Sequence, residues 1–122
     1  MSAEASVVSG IAGRYATALF ELARDNGALD QVASDVAGLG GMIDGSDDLN
    51  RLLRSPVIAS EDQGKGMAAV MEKAGATELV GNFVAVVAQN RRLFALRDMV
   101  KDFRALLAAH RGEVVAEVTS AK

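Results

Sequence analysis

Two short stretches of the sequence resemble catalytic sites at first sight. His110 is the single histidine of the chain and stands beside Arg111. A cation is favourable near the end of a helix, so a capping or solvated histidine is the favoured interpretation. The stretch QGKGM around Lys65 lacks both the spacing of a phosphate-binding loop and the hydroxyl that follows its lysine. Neither stretch predicts an active site.

Two charged clusters could bind a ligand instead. Asp47 and Asp48 could hold a metal ion, but they follow Ser46, and acidic residues are common in the first turn of a helix. The residues 90–92, Asn-Arg-Arg, form a basic corner between two expected helices. Helix capping and solvation are the favoured role of this corner, and contact with an acidic partner is the alternative.

The composition narrows the function further. The chain has no cysteine, which removes disulfides and thiolate chemistry, and it has none of the common hydrolase, zinc or dinucleotide motifs. Its formal net charge of −3 argues against nucleic-acid binding, which depends on neutralising phosphates. We therefore expect no catalytic residue, no metal and no cofactor, and the N-terminus does not read as a signal peptide.

Hydrophobic periodicity predicts one all-α domain with six helices, at about residues 11–26, 29–43, 47–54, 60–74, 78–90 and 93–111. Residues 1–10 are expected to be flexible. Capping signals set the boundaries, among them Ser46, the pair Ser60 and Gln63 as a capping box, Thr77, and Gly112 as the last stop. Residues 113–121 are rich in valine with partial alternation, which predicts a strand. A single strand has no partner here, so we expect residues 112–122 to begin a second, truncated domain.

Two of the helices carry more apolar surface than a surface helix needs. The fifth is apolar on almost every side, which predicts a central helix with others packed around it. Its longest unbroken apolar run covers only residues 83–88, whereas a membrane span needs about 20 residues. The first helix is apolar over more than half of its circumference, and the surplus could face another helix of the domain or a partner. These features favour an interaction module that binds an amphipathic helix in an apolar groove.

Residues 13–23, GRYATALFELA, and 87–121, VAQNRRLFALRDMVKDFRALLAAHRGEVVAEVTSA, resemble the delta subunit family of bacterial F-type ATP synthases. The mitochondrial counterpart of that subunit is the oligomycin-sensitivity-conferring protein. The resemblance covers residues 10–122 and includes the order of the six helices. It implies a six-helix bundle at residues 11–111 followed by a small second domain.

The resemblance also implies a function without catalysis. The subunit would be a stator at the cytoplasmic face of the bacterial inner membrane, peripheral and not inserted into the lipid. Its bundle would bind the amphipathic N-terminal helix of the alpha subunit, and its second domain would join the b-type subunits of the peripheral stalk. The alpha helix would lie between the first and fifth helices, against Tyr15, Ala18, Leu19, Leu22, Leu79, Asn82, Phe83, Val86 and Asn90.

Two other function classes stay open on the residues alone. A generic helical adaptor would use the same groove for a different amphipathic helix. A small helical enzyme would need a polar pocket, for which the sequence offers scattered carboxylates and His110.

Overall fold

The structure is a computed structural model that describes the backbone of residues 3–55 and 57–120 and the side chains of residues 9–55 and 57–111. In that part of the chain the architecture is all-α and contains no strand, which confirms the predicted fold class. The elements are α1 (Ala3–Asp25), α2 (Leu29–Gly45), α3 (Asp47–Arg54), α4 (Ser60–Ala74), α5 (Glu78–Gln89), a 3₁₀ turn (Leu93–Ala95) and α6 (Leu96–Ser120).

The bundle is built from two groups of helices that share one core. α6 packs along α1 and α2, while α5 packs along α4. The rings of Phe20 on α1 and Phe103 on α6 meet edge to face with their centroids 6.0 Å apart. α2 approaches α6 closely at Gly40, where a Cβ atom would lie 3.1 Å from Cγ1 of Val100. The predicted stripe of α2 is buried there, at Val32, Val36, Leu39 and Ile43.

Local signals begin and end several helices where the sequence predicts. The Ser46 hydroxyl accepts a hydrogen bond from the backbone N–H of Leu49 at 3.1 Å, as expected of an N-cap. Gly75 ends α4 with φ of 71°, a left-handed conformation that glycine adopts without steric cost. Arg91 follows α5 with φ of 56°, and the N–H groups of Arg91 and Arg92 return to the carbonyls of Ala88 and Val87. The basic corner is therefore a helix C-cap, as favoured.

At two predicted caps the side chain makes no capping hydrogen bond, because a tertiary contact engages it instead. Gln63 is 4% exposed, and its Nε2 donates to the carbonyl oxygens of Leu52 at 2.9 Å and Ser55 at 3.3 Å. It satisfies the C-terminal end of α3 and forms no capping box with Ser60. Thr77 occupies the N-cap position of α5, but its hydroxyl donates to Oδ2 of Asp35 on α2.

Both terminal helices extend beyond their predicted bounds. α1 begins at Ala3, whereas the sequence predicts its start at about Ile11. The flexibility of residues 1–10 stays a prediction. At the other end, α6 continues through Gly112 to Ser120, over the residues predicted as a strand. A strand needs a neighbour for its backbone groups, whereas a helix satisfies them internally, and the described residues offer no second strand. Pairing of this segment within a longer chain stays a prediction.

The prediction that other helices surround α5 is also wrong. Val80, Val84 and Val87 are buried against the bundle, but Val86 on the other side of the helix is 47% exposed. The surplus apolar face of α5 is therefore part of the surface. It is this surface, together with the matching side of α1, that forms the candidate site.

Candidate functional site: a groove between α1 and α5

The candidate site is the surface between α1 and α5, called here the α1/α5 groove and defined by the nine residues that the family resemblance implied. The two helices pack mainly on other neighbours, α1 on α6 and α5 on α4, and they make little backbone contact with each other. They run antiparallel, because Tyr15 meets the end of α5 whereas Leu19, one turn later, lines a small cavity with Val80 and Phe83. Their side chains bridge the space that the backbones leave open.

Tyr15 is the central contact between the two helices. Its ring meets the ring of Phe83 edge to face, at 6.3 Å between centroids and an interplanar angle of 69°. Its phenol oxygen accepts a hydrogen bond from Nδ2 of Asn90 at 3.0 Å. An aromatic contact and a polar contact thus hold one tyrosine from two positions of α5. The sequence indicated all three residues as part of the site but not these contacts between them.

The nine predicted residues divide by exposure. Leu22 on α1 and Val86 on α5 are 50% and 47% exposed, which is unusual for large aliphatic side chains. The structure also exposes Ala18, Asn82 and Asn90, and leaves Tyr15, Leu79 and Phe83 half-buried. Leu19 is 3% exposed and packs in the core, so it forms the floor beneath the groove and presents almost no surface.

The local sequence explains why α1 can offer two faces. Ala12, Ala16 and Ala23 are completely buried, so that small side chains bring α1 close to the core on one side. Tyr15, Ala18 and Leu22 follow one another at three- and four-residue steps and therefore share the adjacent face. The wide apolar arc of α1 is thus divided between the core and the groove.

α5 is held in place at both of its ends. At its start, Oδ2 of Asp35 accepts hydrogen bonds from the backbone nitrogen of Thr77 at 2.8 Å and from its hydroxyl at 2.7 Å. At its end, the Arg91 guanidinium lies 3.5 Å from the carbonyl oxygen of Ile58, and Asn90 reaches Tyr15. These contacts fix the position of the groove wall that α5 provides.

The residues considered for catalysis do not meet in a site. His110 lies exposed on α6 with its ring 5.5 Å from that of Phe20. Lys65 is 3.9 Å from Glu61, and Arg51 is 3.7 Å from Asp48, both as exposed pairs within one helix. Among the described residues no group of three or more histidine or carboxylate side chains is arranged to hold a metal ion.

None of the helices in the described part of the chain combines the length and the apolar character needed to cross a membrane.

The chain is similar to known proteins over most of its length. Residues 11–122 match the family model described as the ATP synthase delta (OSCP) subunit. The chain is 53% identical over all of its 122 residues to the ATP synthase subunit delta of Rhodopseudomonas palustris strain TIE-1, covering 66% of that protein. It is 53% identical over 94% of its length to the subunit delta of Rhizobium meliloti strain 1021, covering 61% of it. With that of Parvibaculum lavamentivorans strain DS-1 it shares 56% identity over 93% of its length, covering 59%.

The chain therefore spans slightly less than two thirds of these relatives. The match includes all six helices and both walls of the groove, since it begins at residue 11 and reaches residue 122. On the combined evidence of the all-α bundle and these matches, the chain belongs to the ATP synthase delta (OSCP) subunit family.

Proposed function

We propose that this chain is the head-binding domain of a stator subunit in an F-type, proton-translocating ATP synthase. The α1/α5 groove would bind the amphipathic N-terminal helix of the alpha subunit. A second domain, outside this chain, would join the b-type subunits of the peripheral stalk. Together these contacts would link the catalytic head to the stalk and stop it from turning with the rotor. The subunit would be peripheral, at the cytoplasmic face of the bacterial inner membrane.

The observation that carries the proposal is the exposure of Leu22 and Val86 on the two walls of one groove. Each has about half of its side chain available to a partner. Burying half of an aliphatic side chain stabilises a complex by about 1 kcal/mol. The half-buried rings of Tyr15 and Phe83 extend the apolar surface, and Ala18 lets a partner backbone come close. A helix with one apolar face fits this pattern.

The polar groups support an ordered contact. Tyr15 accepts its hydrogen bond from Asn90, so its own hydroxyl hydrogen is free to donate to an acceptor on the partner. Asn82 is exposed on α5 and offers an amide donor and acceptor. Such groups fix the orientation of a bound helix, which a contact that resists torque requires. No chemical step is needed for this role.

Calorimetric titration of this chain with a synthetic peptide of the alpha subunit's N-terminal segment tests the proposal. We expect saturable binding at one peptide per chain, and binding that weakens sharply in Val86→Asp, which puts an unpaired charge into an apolar contact. Ala37 is exposed on α2, outside the groove. The control substitution Ala37→Asp should therefore leave the affinity for the peptide unchanged.

Peptides of unrelated amphipathic helices separate the stator from the adaptor alternative. A stator domain should bind the alpha peptide much more tightly than unrelated peptides of equal length and amphipathicity. Equal affinity for both would favour a generic adaptor. Lack of alpha-peptide binding by the folded chain would contradict the proposed groove.

A further inference from the structure

A second recess lies on another side of the bundle, between α2, α3 and α6. This α2–α3–α6 cleft has a volume of about 850 Å³ and shares no residue with the α1/α5 groove. Its charged lining consists of Arg54, Arg97, Lys101, Arg104, Asp44 and Asp98. Cations thus outnumber carboxylates in the cleft, although the whole chain has a formal net charge of −3. The cleft therefore carries a local excess of positive charge.

Most of these cations are free to meet a ligand. Arg97 lies 3.4 Å from Asp44 in an exposed ion pair. Within the described side chains, Arg54, Lys101 and Arg104 form no ion pair. An exposed pair such as that of Arg97 contributes little and exchanges easily for another carboxylate. The cleft therefore offers positive charge that the fold itself does not use.

The cations are arranged as a row and not as a single cluster. Arg97, Lys101 and Arg104 follow one another on α6 at steps of four and three residues, so they lie on one face of the helix. At 1.5 Å per residue the row is roughly 10 Å long. A single phosphate group is much shorter than this row, whereas carboxylates at the same spacing on a second helix would match it.

An aromatic side chain stands at the N-terminal end of this row. Phe94 lies in the 3₁₀ turn before α6, lines the cleft and is 43% exposed. Exposed aromatic rings beside cationic side chains are typical of protein interfaces, where they anchor an apolar residue of the partner. Gly40 of α2 and Val100 of α6 also line the cleft and pack closely against each other. This contact keeps the two helices at a fixed distance.

We propose that the α2–α3–α6 cleft is a second docking site, whose occupant is an acidic amphipathic helix of another polypeptide. Carboxylates of this helix at positions i, i+4 and i+7 would pair with the cationic row of α6. An adjacent leucine or aromatic residue would pack on Phe94. The occupant differs from that of the α1/α5 groove because charge, and not apolar area, dominates the recognition.

Nuclear magnetic resonance titration of the isotopically labelled chain tests this site. The probe is a helical peptide of ~18 residues whose side chains are cross-linked to keep it helical. It carries Glu at positions i, i+4 and i+7 and a Leu beside them. Saturating shifts are expected at the backbone amides of residues 94–104. The same peptide with Gln in place of Glu should bind about tenfold more weakly, the sum expected for three exposed charge pairs. Raising the salt concentration should weaken the Glu peptide selectively.

Charge reversal on the protein provides the matched variant. Lys101→Glu with Arg104→Glu should lower the affinity at least about tenfold, because like charges then face each other. Lys73→Glu changes an exposed lysine on α4 outside the cleft and should have no effect. Both substitutions lie on the surface, and circular dichroism with thermal unfolding shows that the variants are folded. Binding of the alpha peptide should survive the double reversal, so the two sites fail or succeed separately.

Three outcomes would overturn the proposal. One is equal affinity for the Glu and Gln peptides, or no saturable binding of either. Another is shifts centred on Leu22 and Val86, which would place the peptide in the α1/α5 groove. The third is displacement of the peptide by an equal concentration of ATP, which would reassign the cleft to a small polyanion.

Discussion

Nδ2 of Asn90 donates a hydrogen bond to the phenol oxygen of Tyr15 at 3.0 Å, although 75 positions separate the two residues in the sequence. The bond ties the end of α5 to α1 at a point where the two helix backbones make little contact. The ring of Tyr15 also rests against Phe83. One side chain of α1 therefore contacts two positions of α5, across the groove.

Ala18→Asp should abolish binding of the alpha peptide while leaving the fold intact. Ala18 is exposed on the same face of α1 as Tyr15 and Leu22, so a charge there would lie in an apolar contact. Calorimetry measures the affinity, and thermal unfolding measures the stability. Ala69→Asp on the exposed side of α4 is the matched control, since it carries the same cost in helix propensity, less than about 1 kcal/mol. An unchanged affinity in Ala18→Asp would remove this residue from the site.

Val84→Ala should lower the stability of the fold, whereas Val86→Ala should lower the affinity for the peptide, although only two positions separate the residues. Val84 is 1% exposed, and loss of two buried methyl groups should lower the free energy of unfolding by about 2 kcal/mol. Val86 is 47% exposed, so its truncation should change stability by less than about 0.5 kcal/mol and should weaken peptide binding instead. Chemical denaturation and calorimetry of both variants provide the comparison. Loss of stability in Val86→Ala would mean that this side chain supports the core.

Asp35 and Thr77 should show measurable coupling between α2 and α5. Asp35→Ala removes the acceptor of two hydrogen bonds of 2.8 and 2.7 Å and should cost about 2 kcal/mol of stability. Thr77→Val removes the hydroxyl bond alone and should cost about 1 kcal/mol. The double variant should be less destabilised than the sum, with a coupling energy of about 1 kcal/mol in a double-mutant cycle. Additive effects would show that the two side chains act independently.

Gln63→Glu should create a stability defect that grows with pH. The Nε2 donor of Gln63 satisfies two carbonyl oxygens at a site that is 4% exposed. A carboxylate cannot donate and would face those oxygens, so burial raises the pKa of the introduced group above its value in the unfolded chain.

The sign of this pH effect follows from proton binding. Below the unfolded pKa both states hold the proton, and the protonated carboxyl restores one donor. Above it the unfolded state ionises more readily, so the variant loses stability relative to the parent as pH rises from about 3 to about 7. Denaturation curves across that range measure the difference. The exposed control Gln89→Glu should show no such trend, and a flat difference for Gln63→Glu would contradict the buried donor role.

The sequence predicts local features of the bundle well because short-range physics controls them. The apolar stripe of α2, the Ser46 cap and the stop at Gly75 depend on residues within a few positions of one another. The family resemblance supplied the proposed function and the proposed walls of the groove. The assignment of individual groove residues to a partner stays a prediction, and the structure moves Leu19 to the floor of the groove.

Tertiary packing decided the features that local patterns could not. Gln63 and Thr77 both stand at positions typical of capping residues. Their side chains instead donate hydrogen bonds to the carbonyl of Leu52 on α3 and to the carboxylate of Asp35 on α2. Likewise, the apolar pattern of α5 cannot tell a buried face from an exposed docking face, since both are hydrophobic. Only the packing of α4 and α2 against one side of α5 shows that Val84 is core and Val86 is surface. By itself, then, the sequence determined the helices and their family, because periodicity and caps act over one or two turns. The tertiary structure decided which apolar side chains remain available for binding, because burial depends on contacts between residues far apart in the chain.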